Sequence, residues 1–289
     1  MKTFALTQEN ISAFSPLLPD ENIIPDLDAG LVVLGAALEN AAGQLQACGT
    51  LILEAADEDT WFLRWLLVSP EYRRQGTGSA LMELAMEVAA ALDMQLYCVF
   101  SGVPGEEHTP LYTLLEKHGF VIRPREAKSY AVSLEEMAGE EFFRRESRPG
   151  PGVMLLKDAP SSVITAMNRD LEQRGLLYVD PISTQWALGD ISLICTDKDA
   201  AVACVIFDRI DENTLRLAYV HADGKASMRL PMLLLQANKL LQDNFSPDTQ
   251  LIIPCVSESS RKLAEKLLPC ARVTLETYSA QVMPIFDAQ

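Results

Sequence analysis

The residue run with the most chemical content is Leu66-Leu67-Val68-Ser69-Pro70-Glu71-Tyr72-Arg73-Arg74-Gln75-Gly76-Thr77-Gly78-Ser79-Ala80-Leu81. An apolar stretch ends at Val68, Ser69-Pro70 interrupts it, and apolar residues return at helical spacing at Leu81, Leu84, Ala85, Val88 and Leu92. A strand, a glycine loop and a helix in that order point several backbone N–H groups at one spot, beside the positive end of the helix dipole. A diphosphate fits there without help from side chains. Gly76 and Gly78 permit positive φ and a close approach of the backbone, and Ser79 can add a hydroxyl donor. Between residues 60 and 80, Arg64, Arg73 and Arg74 face Glu71 alone, a positive island on a chain of net charge −16. The spacing GxxxxGK[ST] is absent and so is GxGxxG, which argues against a nucleoside-triphosphate loop and a dinucleotide site.

The elements around this loop must come from 289 residues, enough for about two domains of about 150 residues each. Hydrophobic residues make up 48% of the chain, ample for two cores. No apolar run approaches the ~20 residues of a membrane span, and the N-terminus lacks a signal-peptide layout. The expectation is a soluble cytoplasmic protein with no membrane partner. The six cysteines form no CxxC pair and sit in apolar stretches, so they read as reduced core thiols. With three scattered histidines, no metal site is expected. The acidic balance argues against a nucleic-acid partner, whose phosphates require a basic surface. It is weakly compatible with a cationic or amine substrate, although acidity also serves solubility.

Residues 31–38, 46–54 and 61–68 read as three strands joined by short loops, an antiparallel meander. A helix from Ser79 to about Leu92 follows, then a strand over Gln95–Phe100 and a short helix over about Pro110–His118, closed by Gly119. Phe120–Arg123 and Ser129–Leu134 read as two further strands. The charged stretch ending in Arg148-Pro149-Gly150-Pro151-Gly152 is the best linker candidate. The expected division is therefore a first domain over 1–138, a linker over 139–152 and a second domain over 153–289. The second domain reads as helix, three strands, helix over about 226–243, strand, helix and a last strand near 271–278. Asp57–Val68 resembles Asp211–Val220, and Leu115–Gly119 resembles Ala264–Leu268, which suggests a repeat of about 150 residues.

The pattern Arg-x-x-Gly-x-Gly after an antiparallel meander and Val-Ser-Pro-Glu-Tyr resembles the GNAT superfamily of acyl-CoA-dependent N-acyltransferases, over about residues 1–135. The resemblance implies an α/β (α+β) GNAT fold, a mixed central sheet flanked by helices, with acetyl-CoA as cosubstrate. It implies that the amides of Arg74, Gln75, Gly76, Thr77, Gly78 and Ser79 grip the CoA pyrophosphate, with Arg73 at the first motif position. It further implies that Leu66, Leu67 and Val68 pair their backbone with the pantetheine arm, on a strand that splays from its neighbour Gln95–Phe100. The family's second signature, Asn-x-x-Ala-x-x-x-Tyr-x-Lys-x-Gly-Phe, keeps Lys117, Gly119 and Phe120 here. It departs at His108, Leu111 and Leu115, which fall in the Asn, Ala and Tyr slots.

That tyrosine often protonates the departing thiolate in the family. Tyr112, three residues earlier on nearly the same helix face, is the candidate acid in its place; solvent is the alternative donor, and a packed or surface tyrosine is the structural reading. Glu54, Glu106, Glu107 and His108 are the candidate bases by position, with Glu54 put forward, and each also reads as a solvated loop or strand-end group. His118, in the last turn of its helix, is expected to complement the helix dipole. In the second half, the segment matching the phosphate loop is Val220-His221-Ala222-Asp223-Gly224-Lys225-Ala226-Ser227-Met228, which lacks the motif and carries a repelling carboxylate at Asp223. It is expected to be a degenerate GNAT-like domain in a tandem arrangement, forming a wall of the substrate site or a dimer surface. Trp186 and Tyr178 are expected to pack in its core or line a pocket. The resulting expectation is transfer of an acyl group, acetyl by family habit, to a primary amine of a small molecule or peptide. The rivals are a CoA-liganded sensor and an interaction protein on the same scaffold.

Overall fold

The computed structural model describes the chain apart from residues 20–22, 24, 27–28, 40–44, 106–108, 147–149, 177–179, 199 and 284–289, and apart from the side chains of 225–227. The chain divides into two units, Met1–Arg125 with Thr277–Gln289, and Glu126–Glu276. In chain order the strands and α-helices of the first unit are β1 (Lys2–Ala5), β2 (Leu31–Glu39), β3 (Leu45–Ala55), β4 (Thr60–Val68), α1 (Thr77–Ala91), β5 (Gln95–Gly102) and α2 (Pro110–Lys117). Strand β6 (Val121–Ser133) runs out of the first unit into the second, which then holds α3 (Leu134–Gly139), β7 (Val153–Leu155), α4 (Ser161–Gln173), β8 (Leu193–Asp197), β9 (Ala200–Asp211), β10 (Thr214–Ala222), α5 (Leu230–Asn244), β11 (Gln250–Cys255) and α6 (Glu258–Leu267). The last strand, β12 (Arg272–Val282), starts in the second unit and ends in the first.

In the first unit, β1 to β5 lie in sequence order and the end of β12 follows β5. The first four are antiparallel, as the short loops require, and β5 is parallel to β4 because α1 makes the crossover. Period-two burial sorts β2 between two faces. Val32, Leu34 and Ala36 pack with Leu51, Leu53, Trp61 and Leu63 against Leu81, Met82, Ala85 and Ala89 of α1. Val33 and Ala37 face the other way, toward Phe14 and Leu6. Phe14 belongs to a 3-10 segment, Ile11–Leu17, whose last carbonyl accepts from the Thr50 hydroxyl at 2.7 Å and from the Trp65 indole at 2.9 Å. Gly35 makes that layer possible, since a Cβ there would sit 2.6 Å from Leu6 Cδ2.

In the second unit the strand order is β7, β8, β9, β10, β11, β6, with the start of β12 next to β6. As in the first unit, a parallel pair is spanned by a helix, β10 with β11 across α5, while β9 with β10 and β6 with β11 are antiparallel. A large apolar cluster joins Val132, Leu193, Val205, Phe207, Leu215 and Leu251 to Leu233, Ala237 and Leu241 of α5. On the opposite face, Ile194, Cys204, Ile206 and Tyr219 pack against Val163, Met167 and Leu171 of α4. Trp186 joins this second cluster, with its ring 6.5 Å from that of Tyr219. Tyr178 lies outside the described residues.

Several details differ from the sequence expectation. Residues 121–133 form one strand rather than two, because Arg123–Lys128 continues extended despite its charge. The expected linker, 139–152, lies within the second unit, and the units divide at Arg125/Glu126 and Glu276/Thr277 instead of at 138 and 153. Helix α5 begins at Leu230 rather than near 226, because Pro231 at its first turn fixes the start and a 3-10 segment, Gly224–Arg229, precedes it. All six cysteines are unpaired, and five of them are buried.

Candidate active site

Strand β4 is paired to β3 along its whole length, from Trp61 with Ala55 to Val68 with Gly49. Its parallel pairing with β5 covers only Thr60 with Gln95, Trp61 with Leu96 and Phe62 with Tyr97. Beyond Phe62 the two strands part, and the edge of β4 over residues 63–68 carries no registered strand partner among the described residues. The register against β3 shifts by one between Leu63 and Trp65, leaving Arg64 as an extra residue on β4. A bulge of this kind bends a strand and increases its twist, and it stands where β4 turns away from β5. Leu66, Leu67 and Val68 thus lie on the free part of β4, half-buried.

At the end of β4 a 3-10 turn, Pro70–Tyr72, reverses the chain. Arg74 then takes φ 62 and Gly76 takes φ 85. Arg74 holds the left-handed conformation at a cost a glycine would avoid. Gly76 caps the N-terminus of α1, and a Cβ on it would meet nothing within 4 Å, so its backbone stands open. The first helical bond is from the Ala80 amide to the Gly76 carbonyl. The six amides before it, Arg74 through Ser79, donate to no acceptor among the described residues. Side chains brace the loop instead. Arg73 Nε donates to the Val68 carbonyl at 3.0 Å, Gln75 Nε2 to the Glu71 carbonyl at 2.7 Å, and the buried Thr77 hydroxyl to the Tyr72 carbonyl at 3.1 Å. Lys117, at the end of α2, donates to Ser79 Oγ at 3.0 Å, which leaves the Ser79 proton available and adds a cation beside the amides. Gly78 and α2 approach closely: a Cβ on Gly78 would lie 3.5 Å from Leu114 Cδ2.

At the level where β4 and β5 have separated, three rings meet. Phe100 stacks on Tyr278 at 5.4 Å, and Tyr112 stands edge-on to both, at 6.4 Å from Phe100 and 6.1 Å from Tyr278. Gly102 gives the Tyr278 ring its room, since a Cβ there would be 3.4 Å from that ring. Thr109 caps α2 by accepting from the Tyr112 amide, which fixes the turn that presents Tyr112. The sequence reading missed Tyr278. It comes from the chain's last strand, and neither spacing nor motif signals which unit that strand completes. Leu115, in the slot where the family places tyrosine, is fully buried in the core of the first unit.

Glu54 is not brought to this end. On β3 it pairs with Phe62 of β4, where β4 is still joined to β5 at the closed end of the cleft, and it faces Arg64 at 3.5 Å with both side chains nearly half exposed. Glu106, Glu107 and His108 lie outside the described residues. His118 departs from its expected role. It is half-buried at the C-cap of α2, its Nε2 has no hydrogen-bond partner, and burial pushes its imidazole below the usual 6.5. A ring kept neutral in this way contributes little to the helix dipole.

A strand with a bulge, splayed from its parallel neighbour and leading into a loop of six free amides at a helix N-terminus, is built to take an extended ligand with an anionic end. Residues 5–120 match the family model described as Acetyltransferase (GNAT) family. This segment is a GNAT domain. Over nearly all of its length the chain also shares the fold of a protein described as "Tandem GNAT protein from the clavulanic acid biosynthesis pathway", with TM-score 0.59 and 13% identity, covering 97% of this chain and 98% of that one. A second structure of the same fold is a conserved protein from Enterococcus faecalis V583 described as a probable N-acyltransferase, with TM-score 0.53, 13% identity, and 98% and 72% of the two chains covered. No curated protein sequence matches this one. Among the described residues no helix is long and apolar enough to cross a membrane.

Proposed function

We propose that the GNAT domain transfers an acyl group, acetyl in the first instance, from acyl-CoA to a primary amine of a small molecule or peptide. The observation that carries this reading is the run of six free amides at the end of the free edge of β4. The donor set fits a CoA diphosphate. The amides are consecutive, the Gly76 backbone is open on its outer side, and Arg73, Arg74 and Lys117 supply positive charge nearby. When bound, the thioester supplies an activated acyl carbon.

The residues divide the work by position. The amides of Arg74, Gln75, Gly76, Thr77, Gly78 and Ser79 hold the pyrophosphate. Leu66, Leu67 and Val68 offer their backbone to the pantetheine arm, and an amide of this free edge polarises the acyl carbonyl as charge builds on its oxygen. The amine nitrogen bonds to the acyl carbon, the carbon–sulfur bond breaks, and the thiolate leaves. Tyr112 is the acid for that thiolate, and Tyr278, 6.1 Å away ring to ring, shares the same apolar corner. Glu54 stays a base only through intervening water, given its place at the closed end of the cleft. A second reading, a CoA-binding sensor of weak catalytic power, is favoured by the core leucine at position 115 where the family places its acid.

The two readings part in one assay. Purified protein is mixed with acetyl-CoA and a panel of primary amines, and free thiol is measured over time. Amine-dependent thiol release supports transfer. CoA binding without release for any amine supports the sensor, and no CoA binding at all refutes both.

A further inference from the structure

The sheet of the first unit has a face turned away from α1. Trp61 and Leu63 of β4, and Leu96 and Cys98 of β5, point into the core beside α1. Their alternates Phe62 and Tyr97 stand on the opposite face, half-buried, with ring centroids 6.1 Å apart. They are also the last registered pair before β4 and β5 part. The acyl donor proposed above runs along β4 to the amides at the start of α1. The face of Phe62 and Tyr97, at the closed end of the cleft, is therefore the side left open to an acceptor.

Two cations lie beside Tyr97 without a counter-ion. On β6, Ile122 packs into the core on the α1 side, so Arg123 and Arg125 alternate onto the other face, both exposed. Arg125 Nη1 donates to the Tyr97 hydroxyl oxygen at 2.6 Å. The hydroxyl proton is then free to donate onward, and the guanidinium keeps four further N–H donors. No carboxylate pairs with Arg123 or Arg125 among the described residues. The nearby acids are engaged elsewhere: Glu126 meets Arg261 at 3.0 Å, and Glu54 faces Arg64 at 3.5 Å. On a chain of net charge −16, two unpaired arginines beside a free hydroxyl proton form a receptor for an anion. From Tyr97 to the bulge at Arg64 is one strand across and two residues along, about 8 Å at usual strand dimensions. A short aliphatic chain spans that distance.

We propose that the acceptor is a small amine that also carries a carboxylate, bound by Arg125 and the Tyr97 hydroxyl, with its amine reaching the cleft. This rests on acyl transfer by the GNAT domain and names the acceptor's class. The amine nitrogen joins the acyl carbon, the carbon–sulfur bond breaks, and the proton the amine loses balances the one the thiolate gains, so no further reactant is needed. The test compares three acceptors of one length with acetyl-CoA and the full chain: 5-aminopentanoate, 5-aminopentanamide and 1,5-diaminopentane, with free thiol as the readout. The acid is expected to exceed its amide in kcat/KM by about tenfold, mainly through KM, and the diamine to be poorest. Arg125→Gln brings the acid down to its amide, and Arg125→Lys restores part of the preference. Tyr97→Phe keeps the ring contact with Phe62 and reduces the preference. An acid no better than its amide, or a preference undiminished in Arg125→Gln, overturns the carboxylate site and leaves acyl transfer standing. If no acceptor releases thiol, transfer itself fails, and calorimetric titration of 5-aminopentanoate with CoA present decides the site alone. Binding that is lost in Arg125→Gln supports it; no binding, or binding unchanged in that variant, overturns it.

Discussion

The loop at Gly76 gives the sharpest test of the anion-site reasoning. Gly76 has φ 85 and open space where a Cβ would stand, so a substitution there costs backbone strain and little else. That strain is about 1–2 kcal/mol for most residues and less for asparagine, which tolerates the left-handed region. Gly76→Glu adds a carboxylate at the N-terminus of α1, where the helix dipole offsets part of the strain by about 0.3–1 kcal/mol. For a bound diphosphate the same carboxylate is repulsive. Against two phosphate charges at about 6 Å, with an effective dielectric between about 80 and 20, the penalty is about 1.5–5 kcal/mol. Affinity then falls at least about tenfold. With ligand at about 100 times the wild-type dissociation constant, wild type gains about 2.7 kcal/mol of stability. The variant gains about 1.4 kcal/mol or less. Thermal melting with and without acetyl-CoA or CoA reads this directly, each variant referred to its own unliganded melt. Gly76→Asn, neutral and at ease in the left-handed region, retains most of the gain. A Gly76→Glu protein with the full wild-type shift refutes the placement of the diphosphate on these amides.

Tyr112→Phe keeps the edge-on ring contacts and removes the hydroxyl, so kcat for thiol release falls by about 10²-fold, while Tyr278→Phe leaves it near wild type; the reverse result moves the acid to Tyr278. Gly49→Ala drives a methyl to about the 3.0–3.2 Å already found for an ideal Cβ against the Leu67 carbonyl, Leu81 and Thr77, and loses about 1–3 kcal/mol of stability in denaturant unfolding; an unchanged midpoint contradicts the tight seating of β3 on α1. His118 is held neutral by burial, its folded pKa below 6.5. Its contribution is present above pH 6.5 and lost as pH falls through the folded value, because the unfolded chain then binds the proton more readily. His118→Gln flattens that part of the stability profile, and a profile equally steep in the variant contradicts the assignment.

The loop from Arg73 to Ser79, the meander before it and the helix after it were legible in the sequence because they rest on local rules. Glycines mark positive φ, Pro70 ends a strand, and period-two and helical spacing separate β4 from α1. The repeat was legible too, from Asp57–Val68 and Asp211–Val220. Local rules do not reach across long stretches of chain. That Tyr278 stacks on Phe100 depends on the last strand completing the first unit. That Glu54 sits at the closed end of the cleft depends on the β3–β4 register, and the register shifts at a bulge no residue type announces. Leu115 and Tyr112 are neighbours on one helix, yet only packing against α1 and the sheet decided that the first is core and the second reaches the aromatic corner. The sequence by itself determined where a strand end, a glycine loop and a helix N-terminus follow one another, since that is set by local backbone conformation. Tertiary structure decided which side chains meet there, because that follows from pairings between residues far apart in the chain.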